Sequence, residues 1–419
     1  MGSADAVVVV GAGHAGVQVA ASLREEGHDG PITLINNEKP LPYQRPPLSK
    51  AFMKGHASAE SLLLRGPTFY PDHKVELLQD ETVESIDRRQ QEVRLASGGR
   101  LRYRHLVLAT GSALREPPFA GADLEGVSRL RNIADALELR EQLGSAKDIV
   151  IVGAGFIGLE FAATAAEKGA RVHVVEFAPR VMARAVSQPI SDFFLNAHRG
   201  FGIEVNVDSQ VVGIEGRGGH VREVALADGR KVPADLVLVG IGTRACDELA
   251  VAAGLDCANG VKVDRGLTTS DPSISAIGDC ALHVNPFAGG TIRLESVQNA
   301  VDQARVVARK LTGKPADYDA VPWFWSDQGP LKLQMVGLLD GCDTFICRGD
   351  PAARDFAIFA FSGGRLRCVE TVNRAGDHMA ARRLLAGHVA LTPEQAGDLS
   401  FNIKSLVGGR PSHGPASGT

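Results

Sequence analysis

The feature that most restricts the possible folds is a unit that occurs twice: an apolar β-branched run, a glycine turn, a helical stretch and a second apolar run. Val7-Val8-Val9-Val10 leads into Gly11-Ala-Gly13-His14-Ala15-Gly16, then a helix expected over 17–26 and a strand over 31–35. The order returns with a strand over 148–152, Gly153-Ala-Gly155-Phe156-Ile157-Gly158, a helix over 157–168 and a strand over 171–175. Both loops fit G-x-G-x-x-G in the strand-to-helix setting that the motif requires. The first glycine permits the tight turn, the second lets backbone approach a pyrophosphate, and the third lets helix pack on strand. The helix N-terminus then offers unpaired N–H groups to the phosphates. Two copies predict an α/β chain with two Rossmann-type, doubly wound, three-layer nucleotide-binding domains.

The chain has 419 residues, too many for one ordinary core. Strands are expected over 92–95 and 101–108, joined at Ser97-Gly98-Gly99, and a similar stretch over 221–239 follows the second unit. Beyond Trp323, strands over 331–338, 356–361 and 366–372 and a helix over 380–385 suggest a C-terminal α+β domain. The expected division is 1–112 with 245–320 for the first nucleotide, 113–244 for the second, and 321–419 for the C-terminal domain. The last ten or so residues, rich in Gly, Pro and Ser, predict a disordered tail. A net charge of -4 and 5% aromatics argue against a nucleic-acid binder. No apolar run reaches membrane-span length and no leader pattern precedes Val7, so no membrane association and a cytoplasmic location are expected.

The residue ending the strand after each loop separates the two sites. After the second loop it is Glu176, whose carboxylate can accept both ribose hydroxyls and repel a 2′-phosphate, which points to NADH. After the first loop it is Asn36, which can donate to and accept from a ribose hydroxyl, followed by Asn37 and Glu38, of which Glu38 is the available carboxylate.

Longer strings carry a resemblance: Pro42-Tyr-Gln-Arg45-Pro46-Pro47-Leu-Ser-Lys50, Leu108-Ala109-Thr110-Gly111, Gly155-Phe-Ile-Gly158-Leu-Glu160, Ile277-Gly278-Asp279-Cys280, Glu295-Ser296-Val297-Gln298-Asn299 and Pro322-Trp-Phe-Trp325-Ser-Asp-Gln. With these, the chain resembles the FAD-dependent pyridine-nucleotide reductases, and in particular the NADH–ferredoxin reductases of bacterial oxygenase systems, the putidaredoxin reductase-like group. The resemblance implies FAD at the first loop and NADH at the second. It implies that Ala15 offers its N–H to the FAD pyrophosphate and that Val83 meets the adenine. Arg131 would lie along FAD, and Asp279 would accept from a ribitol hydroxyl. Val297 and Gln298 would bring helix N–H groups to the flavin pyrimidine edge, beneath Trp325. Lys50 would stand near flavin N5, paired with Glu160, which would orient the nicotinamide carboxamide. Arg184 would reach the NADH ribose or phosphate. Contacts from His14, Arg45, Pro46, Ala109, Thr110, Gly111, Gly242, Gly278, Glu295 and Ser296 complete the implied set.

The six cysteines form no CxxC pair, and none precedes Cys246. Related flavoenzymes that reduce disulfides or peroxide keep a redox cysteine in the stretch that here runs from Asn36 to Lys50. Without one, electrons leave the flavin directly. The implied partner is an acidic two-iron two-sulfur ferredoxin feeding a thiolate-haem monooxygenase or ring-hydroxylating oxygenase, with the chain a monomer or weak homodimer. Arg305, Arg309, Lys310, Arg382 and Arg383 are candidates to face that partner. Open alternatives are an NADH oxidase, a quinone or rubredoxin reductase, or a redox sensor like apoptosis-inducing factor. No metal site is expected.

Overall fold

A computed structural model describes residues 5–407. The expected tail lies mostly outside those residues. Two five-stranded parallel sheets dominate the fold. The first runs Ile274–Ala276, His105–Leu108, Val7–Val10, Ile32–Asn36, Val75–Gln79. The second runs Glu204–Asn206, Arg171–Val175, Asp148–Val152, Leu236–Val239, Val127–Ser128. Val7–Val10 and Leu236–Val239 are buried throughout, as strands covered on both faces must be. The chain crosses between the sheets at an antiparallel pair, Ser112–Leu114 with Thr243–Ala245.

The expected strand over 101–108 is two strands. Arg100–Arg102 closes an antiparallel meander with Val83–Asp87 and Glu92–Leu95, while His105–Leu108 enters the parallel sheet. The break falls between Arg102 and His105, and the Arg104 N–H bonds Ala6 O, which starts the parallel pairing. Val93 and Leu95 of the meander share a core with Val7–Val10 and with Ala304 and Val307 of the helix Val297–Leu311. One outer layer of this domain is therefore β-meander rather than helix.

The C-terminal domain is a five-stranded antiparallel sheet in the order Trp323–Gln328, Leu331–Gly337, Arg365–Val372, Asp355–Ser362, Thr344–Asp350. Its first and last members were not among the expected strands. Period-2 alternation gives this sheet two apolar faces. Ala357, Phe359 and Phe361 pack with Ala381 and Leu384 of the helix Ala375–Ala386. Phe356 and Ile358, with Leu331 and Leu333, pack instead with Phe161, Ile190 and Phe194 of the second nucleotide domain. Each such side chain contributes roughly 1.5–3 kcal/mol on full burial, so the sheet is fastened to that domain as firmly as to its own helix.

Candidate functional site

Both glycine loops have the shape their sequence calls for. Gly11 and Gly153 have φ of +103° and +104°, and a Cβ there would lie 2.3 Å from Ala109 O and 2.4 Å from Gly240 O. A Cβ on Gly16 or Gly158 would strike the carbonyl oxygen of Gly11 or Gly153. The middle glycines differ: a Cβ on Gly13 or Gly155 would meet nothing within 4 Å. Each loop thus leaves free space beside its middle glycine, at the N-terminus of a 12-residue helix. That space and its unpaired N–H groups suit a pyrophosphate.

Around the first loop, Asp279 keeps 24% of its side-chain surface reachable, yet burial raises its carboxyl above the usual range. A group both surrounded and reachable lines a deep cleft, and a ligand with hydroxyl donors fits it. Ser112 Oγ donates to Asp279 at 3.1 Å, and Arg131 stands 4.0 Å away. Gly278, with φ of +75°, sits against Ala15, where a Cβ would lie 3.1 Å from the Ala15 Cβ, and its N–H bonds Gln303 at 2.7 Å. Arg45 donates to Arg131 O at 2.7 Å and pairs with Glu38, which also accepts from Tyr43 Oη at 2.5 Å. Burial, with Arg45 nearby, pushes His14 down to about 4, so its ring is neutral at pH 7. Pro46 opens the short helix Pro46–Ser49, and Val83 is buried at the start of its strand. Thr110 Oγ1 donates to Cys246 O at 2.6 Å, and Arg131 passes near Gly111.

Asn36 departs from expectation. Its amide N–H groups both go to loop carbonyls, Glu38 O and Pro40 O at 2.9 Å, and Oδ1 accepts from Glu38 N. It shapes the loop rather than facing a ribose, because a buried amide must satisfy its own hydrogen bonds. Asn37 beside it is exposed.

At the second loop, Glu176 accepts from Ala154 N at 2.5 Å and from Ala178 N at 2.7 Å, which places its carboxylate against the glycine turn. Arg180 is unavailable to a 2′-phosphate, since it donates to Val186 O and Ala183 O. Arg184 is exposed, with its guanidinium beside Gly242. Ile157 is exposed, while Phe156 packs on Phe324 with centroids 4.7 Å apart.

Between the two loops lies Glu160, 4% exposed. Oε2 accepts from Lys50 Nζ at 2.8 Å and Ser49 Oγ at 2.5 Å, and Oε1 accepts from Ser326 Oγ at 2.6 Å. Ser49 and Lys50 come from the first domain, Glu160 from the second and Ser326 from the C-terminal sheet. Lys50 also donates to Pro46 O at 3.1 Å. Sequence reading found Lys50 and Glu160 but not Ser49 or Ser326. A serine in a loop or strand carries no local signal, and these contacts span 111 and 166 positions.

The helix Val297–Leu311 starts at the same junction, capped by Ser296 Oγ, which accepts from Asn299 N. The Gln298 side chain turns away from the helix end to Asp302, and its Oε1 accepts the Trp323 N–H at 3.1 Å, leaving the first-turn N–H groups as what this helix offers. Glu295 accepts from Thr243 Oγ1 at 2.7 Å. Trp325 is half-buried beside Trp323, over which Arg382 lies at 4.5 Å. Among the other candidate partner-facing residues, Arg305 pairs with Asp302 and Lys310 bonds Thr268. No cluster of metal-ligating side chains occurs among the described residues.

Two glycine-loop sites on parallel sheets, meeting at a buried lysine–carboxylate pair under a C-terminal sheet, define a two-nucleotide α/β oxidoreductase. The family described as pyridine nucleotide-disulphide oxidoreductase matches residues 5–304, and the reductase C-terminal family matches 323–407. The chain belongs to this family, whose members use FAD with a nicotinamide nucleotide. It is 47% identical to rhodocoxin reductase of Rhodococcus erythropolis over 401 residues, 96% of this chain and 94% of the relative. It also matches the crystal structure of the ferredoxin reductase for the CYP199A2 system of Rhodopseudomonas palustris, with TM-score 0.95, 50% identity, and 96% and 100% of the two chains covered. For the covalent putidaredoxin reductase–putidaredoxin complex the values are 0.94, 40%, 96% and 98%.

Proposed function

We propose that this protein is a cytoplasmic NADH:ferredoxin reductase, passing electrons to an acidic two-iron two-sulfur ferredoxin of an oxygenase system. The observation that carries the reading is the Lys50–Glu160 pair at the junction of the two nucleotide sites. The relatives named as reductases of rhodocoxin and putidaredoxin support the choice of acceptor. Residues 1–112 and 245–320 would hold FAD, and 113–244 NADH.

Bound FAD supplies the chemistry of taking two electrons as hydride and releasing them singly. The N–H of Ala15 and the open side of Gly13 would receive its pyrophosphate, and Asp279 its ribitol. The first-turn N–H groups at Val297 and Gln298 would face the ring edge that gains negative charge, which a helix N-terminus favours. Lys50 would hold its ammonium toward the same ring, kept in place by Glu160. Glu176 would accept the NADH ribose hydroxyls, with Arg184 and Gly242 at the rim. Trp325 would shield the ring from water.

Anaerobic stopped-flow of the FAD-loaded protein tests this. NADH should reduce the flavin, and a two-iron two-sulfur ferredoxin should reoxidise it in one-electron steps that slow with rising salt. Lys50→Ala should keep FAD yet lower flavin reduction by about tenfold or more, equivalent to about 1.4 kcal/mol of barrier. Faster reoxidation by oxygen, quinone or rubredoxin would overturn the choice of acceptor.

A further inference from the structure

We propose that Ser326, on the first strand of the C-terminal sheet, is a positioning residue that fixes the Glu160 carboxylate and through it the Lys50 ammonium. This rests on the reading of Lys50 given above. The C-terminal sheet would then be part of the reacting centre rather than only a cover and docking face.

The argument is the direction of the hydrogen bonds. His198 is buried on the helix Gln188–Gly200, and burial lowers its pKa, so the ring is neutral. Its Nε2 lies 2.8 Å from Gln328 Oε1, an oxygen that can only accept, so the proton sits on Nε2. The two N–H groups of Gln328 Nε2 are its only side-chain donors, and they go to Ser326 Oγ at 3.2 Å and to Met182 Sδ at 3.4 Å. A hydroxyl that accepts from an amide has its single hydrogen free to give, and the Ser326 hydrogen goes to Glu160 Oε1 at 2.6 Å. Ser49 and Lys50 donate to Oε2. Every donor therefore converges on one buried carboxylate, and His198, Gln328 and Ser326 form a one-way chain ending there.

Taking a carboxylate out of water is costly unless donors surround it, and the three donors here supply that compensation. Among the described residues, Ser326 Oγ is the one donor to Oε1. Without it the carboxylate is held only through Oε2, by Ser49 and Lys50, so Oε1 loses its anchor and the counter-charge facing Lys50 is less firmly fixed. The chain also limits what Glu160 does: with three donors in place it retains little capacity for a nicotinamide carboxamide. Its main task becomes holding Lys50.

The test compares holoenzyme carrying Ser326→Ala, Ser326→Thr, Gln328→Leu, Lys50→Ala and Glu160→Gln. Flavin reduction by NADH is followed across pH, together with the infrared band of protonated carboxyl groups, assigned by its loss in Glu160→Gln. Ser326→Ala should slow reduction by about tenfold, with KM for NADH changed by less than about threefold. Its acid limb should move to higher pH, and the Glu160 carboxyl band should appear at correspondingly higher pH. Ser326→Thr should restore both. Gln328→Leu keeps the hydroxyl but removes the group that turns it, and should give a smaller shift in the same direction; it serves if Ser326→Ala loses FAD. Wild-type pH profiles and an unmoved band in both the Ser326→Ala and Gln328→Leu proteins would overturn the proposal, while a slow Lys50→Ala would leave the Lys50 reading standing. A wild-type rate in Lys50→Ala would overturn that reading and the rate part of this one, with the infrared band still deciding whether Ser326 holds Glu160.

Discussion

Replacing Glu370 by Gln should stabilise the protein above neutral pH and leave it unchanged below about pH 4. Glu370 lies on the strand Arg365–Val372, fully buried, where its carboxylate oxygens accept the Ser187 N–H at 3.0 and 3.3 Å across the domain boundary. Burial pushes its pKa from 4.5 up to about 7, opposed by the Ser187 bond and by Arg180. Cys342 and Cys368 also face it, and both thiols are pushed up, so neither adds charge near neutrality. A carboxyl whose folded pKa lies above its unfolded one gives stability that is complete below about pH 4.5 and is lost as pH rises through about 7. A shift from 4.5 to about 7 corresponds to about 3 kcal/mol at 1.36 kcal/mol per unit. The Gln amide oxygen can accept the same N–H without a charge to bury, so the variant escapes that loss. For 419 residues the unfolding entropy is about 0.9 kcal/mol/K, so the gain is about 3–4 °C in Tm at pH 8, about 1 °C at pH 5 and near zero at pH 4. Differential scanning calorimetry of both proteins at matched scan rate across that range reads the difference. A Tm gap that stays flat with pH, or a Glu370→Gln protein less stable than wild type at pH 8, would refute the reasoning, since it would mean that the helix end and Arg180 already hold the carboxyl ionised.

Two further outcomes follow from the loops. Gly13→Ala should leave the apoprotein Tm within about 1 °C, because its Cβ meets nothing, yet abolish FAD retention on gel filtration; Gly11→Ala, with its positive φ and a 2.3 Å contact to backbone, should fail to accumulate as folded protein. Glu176→Ala should raise KM for NADH by about tenfold and narrow the preference over NADPH in steady-state dye reduction, with little recovery of NADPH affinity because Arg180 is bound to the Val186 and Ala183 carbonyls.

The elements legible from sequence were those whose pattern is local. Val7–Val10 and Asp148–Val152 are apolar or nearly so up to their glycine turns and occupy the centres of their sheets, with Arg171–Val175 beside the second. Helix starts were placed late, at 17 and 157 rather than His14 and Phe156, because neither N-cap glycine gives a side-chain signal. Thr344–Asp350 escaped notice since its outer position leaves most of it exposed and its alternation weak. Trp323–Gln328 mixes aromatic and polar residues because it faces a functional junction rather than a plain core. Lys50 and Glu160 were legible through the strings around them. Ser49, Ser326, Gln328 and His198 were not, since their meaning arises only when three domains meet.

The cysteines settle what the family name leaves open. Members are described by disulphide chemistry, which needs a thiolate beside the flavin. In this chain the segment from Asn36 to Lys50 contains no cysteine and supplies instead Lys50, paired with Glu160, and the Arg45–Glu38 pair. Each of the six thiols is pushed upward by burial as the leading cause, the reverse of what activates a redox cysteine. Cys246 is close enough for Arg131 to act on it, and even there burial outweighs the cation. All six are free, and none is poised to attack a substrate. With no thiol relay, the reducing equivalents leave from the flavin itself to an acceptor at the protein surface. That is a geometry for a one-electron carrier docked outside, and it is why the same glycine loops that serve disulfide reduction elsewhere serve electron transfer in this protein.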